Sequence, residues 1–122
     1  MCTEIQRKGS VKYMKEKVNR IYKIQLQTSV GPRYGFLTCQ VRNDRISGEL
    51  DILKHVEPFF GKIDADGNCE FSGQIITLMW TINYVATGVV TADHINLTLL
   101  SEQGKFYITG EMSDIQEETI EL

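Results

Sequence analysis

The sequence predicts an all-β fold: about eight antiparallel strands in meander order, curled into a closed barrel. Three observations carry this expectation. Four glycines recur at the same place in consecutive strand-like segments, Ile46-Gly48-Leu50, Phe59-Gly61-Ile63, Phe71-Gly73-Ile75 and Ala86-Gly88-Val90. Side chains on a strand alternate faces with a period of two, so each glycine shares a face with its apolar neighbours. Short turn signals separate the segments, which makes the connections hairpins rather than crossovers. No helical patterns alternate with the strands, as a parallel α/β fold would require. Glycines on the buried face let a sheet coil sharply, and closure hides that face and removes the edges. The alternative is a two-layer β-sandwich folded along the same glycine line.

The elements follow in order. Val11, Met14, Val18, Ile21 and Tyr22 have amphipathic helical spacing with Ser10 as N-cap, so residues 1–20 form either a short helix or a basic arm. Strands are expected at about 21–29, 33–42, 45–53, 58–65, 68–79, 82–91, 94–100 and 105–113. A turn at Asn43-Asp44 sets Val41 opposite Ile46 and Cys39 opposite Gly48. Leu53 to Pro58 is the longest internal break, because proline avoids central strand positions. Asp64-Ala-Asp-Gly-Asn68 is the clearest turn signal; folded about Gly67, it places Gly61 opposite Gly73. The buried phase then switches from odd to even numbers. A two-residue turn at Trp80-Thr81 accounts for the switch, sets Gly88 opposite Gly73, and pairs Ile76 with Val85. A bulged continuous strand is the alternative there. Ala92-Asp93 pairs Val90 with Ile95, and the loop Ser101–Gly104 pairs Leu99 with Phe106. The barrel domain thus spans residues 21–113, followed by an acidic tail at 114–122.

Composition narrows the function classes. The chain has 122 residues and a net charge of -3, which suits one domain and argues against neutralising nucleic-acid phosphates. No apolar run approaches the length of a transmembrane helix and no signal-peptide pattern is present, so a cytoplasmic location and no membrane partner are expected. The three cysteines include no C-x-x-C pair, and Cys39 and Cys69 fall on the core face. The basic stretch 7–20 and the acidic tail read as solvated termini.

Motifs that suggest chemistry are weak. Asp64-Ala-Asp66-Gly-Asn68 resembles the start of a calcium loop, but the twelfth position is Ile75 rather than a bidentate glutamate. His55 and His94 lie in turns without ligand-spaced partners, and His55 beside Glu57 reads as a solvated pair. Arg33, Tyr34, Arg42 and Arg45 on one hairpin contain a single aromatic and sit near Glu49 and Asp51, a poor base-stacking surface. No catalytic residue, metal or cofactor is expected, and the protein reads as a non-enzyme.

The interior is more informative. Thr28, Thr38, Thr77 and Tyr84 are read as inward, alongside core-filling Phe59, Phe71, Phe106, Met79 and Met112. An apolar pocket for a small molecule is expected at one mouth, lined by Trp80, Tyr84, Phe106 and Thr77. In architecture, residues 21–113 resemble the calycin group of lipocalin- and avidin-type barrels, a resemblance of strand count and connectivity alone. The lipocalin Gly-x-Trp signature is absent. The resemblance implies small-molecule binding; the alternative is an interaction module with a filled core. The latter would use Ile76, Leu78, Val85 and Val89 as an outer apolar interface for a homodimer.

Overall fold

The computed structural model describes residues 18–117. Eight strands form a closed barrel in sequence order: β1 (Val18–Thr28), β2 (Gly31–Arg42), β3 (Arg45–Ile52), β4 (His55–Ile63), β5 (Asn68–Ile76), β6 (Thr81–Val90), β7 (His94–Ser101) and β8 (Gly104–Glu117). Every neighbouring pair is antiparallel, and β1 pairs with β8 across a bulge at Ile21/Tyr22 to close the wall. The two-layer alternative is excluded by that closure. No helix among the described residues is long and apolar enough to cross a membrane.

All four glycines lie on the inward face, staggered so that none stands opposite another. Gly48 pairs with buried Cys39 and Phe59, Gly61 with Ile46 and Phe71, Gly73 with Phe59 and Tyr84, and Gly88 with Cys69 and Leu97. Strands approach so closely here that a β-carbon at Gly48 would lie 2.0 Å from the Thr38 carbonyl oxygen. At Gly61 the Glu70 carbonyl would be equally near, 2.0 Å away. Residues without a side chain are therefore what lets the wall fold inward at these points.

The core is aromatic and aliphatic. Phe59 and Phe71 pack with centroids 4.2 Å apart, and Tyr84 meets Phe71 edge-on at 6.3 Å. Both cysteines of the barrel are buried free thiols, Cys39 pushed up to about 12 and Cys69 to about 11, by burial above all. They pack as small hydrophobes.

Several expectations need correction. Val18–Tyr22 belong to β1, paired on both sides, so the helix does not extend over them. The rest of that segment, the basic arm up to residue 17, lies outside the described residues, as do 118–122 of the acidic tail. Gly61 faces Phe71, not Gly73, because the β4–β5 loop is centred on Asp66 rather than Gly67. The Asp64 carboxylate fixes that centre by accepting from the Asp66 and Asn68 amides at 2.9 and 3.0 Å. The β5–β6 turn spans Thr77 to Trp80 instead of Trp80-Thr81, so Gly73 faces Tyr84, not Gly88. Thr77 organises it: its hydroxyl accepts from Trp80 N–H at 2.9 Å and Met79 N–H at 3.2 Å. That loop carries Met79 into solvent, so Met79 fills no core. The break at Leu53–Pro58 is only a two-residue turn, with φ of 57° at Leu53 and 69° at Lys54. Pro58 sits in β4 just beyond the β4–β5 ladder, where no partner needs its missing N–H. Thr38 faces outward, since Leu37 and Cys39 on either side are buried.

Candidate functional site

The two ends of the barrel are built differently. One end carries the turns after β2, β4 and β6. Their backbones are stitched to neighbouring strands: Val90 N–H donates to the Gly67 carbonyl at 2.9 Å, Ile63 N–H to Asp44 at 3.0 Å and Met112 N–H to Asp93 at 2.9 Å. The Tyr22 hydroxyl donates to the Thr91 carbonyl beneath. A depression of about 300 Å³ here is bordered by Arg20, Asn43, Asp64 and Asp66 as well as apolar side chains.

The other end carries the turns after β1, β3, β5 and β7. Three of them are bonded within themselves: Thr28 donates to Gly31 at 2.6 Å, the Trp80 N–H to Thr77 at 2.9 Å and Ser101 to Gly104 at 2.9 Å. Between them opens a cavity of about 330 Å³ with Leu26, Leu53, Ile75, Ile82, Trp80 and Phe106 in its wall. That volume lies at the small end of ligand pockets, roughly 300–1,000 Å³. Thr28, Thr77 and Arg33 supply the polar side of the lining.

Three of the four residues expected at the mouth come together there: Thr77, Trp80 and Phe106. Tyr84 does not line this cavity. It lies one inward position deeper than Ile82, buried, with its ring laid over Gly73. Among the described residues its hydroxyl has no hydrogen-bond partner, and burial raises its pKa. Leu26, Leu53, Ile75, Ile82 and Arg33 were not anticipated at the site. Arg33 was legible in principle, because it shares the odd-numbered phase of Leu37 and Cys39. Leu53 was not, because Leu-Lys is poor chemistry for a turn with two positive φ angles.

The outer-face cluster is not assembled as expected. Ile76 pairs with Thr81, Leu78 projects from the β5–β6 loop, and Val89 is flanked by Asn68 and Asn96. The two-residue shift of the turn centre moves the register by four and separates them. Val85 instead lies in a row that runs from Phe60 through Ser72 and Val85 to Leu100, with Phe60 66% exposed. The arginine hairpin is likewise divided. Arg33 is at the open mouth, whereas Arg42 and Arg45 pair at the other end, nine positions or roughly 30 Å along the strand.

Other candidate chemistry is inert or dispersed. The Asp64 carboxylate is committed to its own loop, and the Asn68 side chain, donating at 3.2 Å, leads in holding its pKa low. His55 and Glu57 lie on β4, not in a loop, opposite Ile52 and Leu50. A broad depression of about 780 Å³ over β1, β7 and β8 carries Lys23, His94 and Glu111. Among the described residues no three His, Cys, Asp or Glu side chains are grouped to hold a metal ion.

No family model matches the chain, and no curated protein or solved structure matches it closely enough to carry an argument.

Proposed function

We propose that the barrel binds a small, largely apolar molecule at its unstitched mouth. One observation carries the reading: a cavity of about 330 Å³, walled by aliphatic and aromatic side chains, opens at the barrel end where, among the described residues, no backbone hydrogen bond joins one turn to another. Apolar walls with a few placed polar groups are what a small-ligand site requires. The lining holds no carboxylate, histidine or cysteine, which favours a binder over an enzyme. Buried free thiols fit a reducing, cytoplasmic setting. Trp80, the single tryptophan, stands in the wall and serves as the reporter. Titration with the neutral probe 1-octanol should shift its emission saturably. A response that stays linear up to the solubility limit would sink the proposal.

A second reading rests on the Phe60–Val85–Leu100 row. Exposed Phe60 beside the paired Val85 and Leu100, with only Ser72 between, suits self-association through the flat of the barrel. A homodimer would sediment as such at tens of micromolar, and Phe60→Glu would return it to monomer. A wild-type chain that is monomeric under those conditions removes this alternative.

A further inference from the structure

We infer that the mouth selects an amphipathic molecule with one anionic head, a monocarboxylate, and that Arg33 is the residue that recognises it. The inference rests on the binding reading above and names the class of its ligand.

Arg33 pairs in register with Leu26, which is 2% exposed, and so stands on the inward face at the rim. It is the one charged residue among those lining the cavity. Its guanidinium donates to the neighbouring Pro32 carbonyl at 3.0 Å, and no carboxylate of the described residues lies within ion-pair distance of it. A guanidinium carries five N–H donors, so most of its capacity faces the opening uncommitted.

A cation placed against an apolar wall loses hydration that an anion replaces more strongly than a neutral acceptor does. Arginine suits that role because it is weakly hydrated and its planar fork matches a carboxylate through two parallel bonds. Asp51 on neighbouring β3 faces outward between buried Leu50 and Ile52, and neither Glu57 on β4 nor Glu102 in the β7–β8 turn lines the cavity. A polyanion would call for more than one cation. A cationic head would meet Arg33 directly and be repelled. Below the rim the wall is Leu26, Ile75, Ile82 and Phe106, which suits a hydrocarbon body. The volume of about 330 Å³ equals roughly eleven waters at about 30 Å³ each, so a body of roughly eight carbons fits.

The test uses the full chain and three probes that share one tail: octanoate, 1-octanol and octylammonium. Trp80 emission is followed for each at neutral pH. Octanoate should bind roughly tenfold more tightly than 1-octanol, with octylammonium weakest, as a charge-assisted pair predicts. Arg33→Met should bring octanoate to the level of 1-octanol, while Arg33→Lys should keep part of the preference. Arg33→Lys also keeps the comparison informative if the methionine variant does not fold, as judged by far-UV circular dichroism. Equal affinity for octanoate and 1-octanol in the wild type, or a preference that survives Arg33→Met, overturns the anion assignment and leaves the apolar site standing. Failure of all three probes to saturate overturns the site and the assignment together.

Discussion

The two ends of this barrel have cavities of similar size, about 300 and 330 Å³, yet they are held in opposite ways. At the stitched end, three turns donate or accept backbone hydrogen bonds across to the wall, and Gly67 is folded inward until it is buried. At the open end the β1–β2, β5–β6 and β7–β8 turns are bonded within themselves. The difference in side chains follows the same line. The open rim exposes Val30, Leu78, Met79 and Trp80, whereas the stitched rim is mostly Asn, Asp and Thr. Exposed apolar tips bring no folding stability, so their concentration around one mouth points to use rather than architecture. The contrast teaches that one end is a structural floor, and the binding proposal makes the other its working face.

Mutations can break or sharpen that contrast. The largest effect is expected on the floor. Gly67 has φ of +92°, and a β-carbon there would lie 2.6 Å from the Val90 carbonyl oxygen. Gly67→Val should cost about 3 kcal/mol in urea unfolding, through the φ penalty and the clash together. At the open end, by contrast, Lys54→Gly should stabilise by about 0.5–1 kcal/mol, because it relieves a positive φ that no lysine favours. A loss of stability there would mean the strain is compensated by lysine contacts. Smaller still, Trp80→Ala should change stability by less than about 0.5 kcal/mol, since the side chain is 59% exposed. The same variant should weaken 1-octanol severalfold by calorimetry. A stability loss comparable to that of Gly67→Val would make the rim structural and erase the distinction.

The floor should also respond to acid. Hydrogen bonds, first that from the Asn68 side chain, hold the folded Asp64 pKa below its ordinary value. A depressed carboxylate contributes stability that is complete above the unfolded pKa of about 3.9 and fades as pH falls through the folded value. Asp64→Ala should therefore flatten the acid limb of a melting-temperature profile below about pH 4 and leave binding at the far mouth intact. An unchanged profile would show that the loop holds without its carboxylate.

How much of this was legible in the sequence depends on what sets each feature. The interior glycine row, strand number and meander order follow from period-two alternation, which is a property of the backbone. The Asn43-Asp44, Ala92-Asp93 and Ser101–Gly104 hairpins registered as expected because their turn residues leave few choices. Register failed where side chains, not backbone preferences, set the loop length. The Asp64 carboxylate and the Thr77 hydroxyl each recruit amides from within their own loop, moving the centre by one or two residues. That small movement doubles in the register and carries Ile76 away from Val85. At the site, Thr77, Trp80 and Phe106 were legible from phase near turns. Leu53 was hidden because its inward placement depends on an unfavourable φ that nothing local announces.

The seam between β1 and β8 joins residues 80 to 99 positions apart, while every other ladder is a local hairpin. During synthesis on the ribosome the first seven strands can zip together as they emerge, but they form an open ribbon with two unpaired margins. Only release of the last strand seals it. The nascent chain is thus most prone to stick to its neighbours just before β8 emerges, and dependence on a chaperone should peak at that moment.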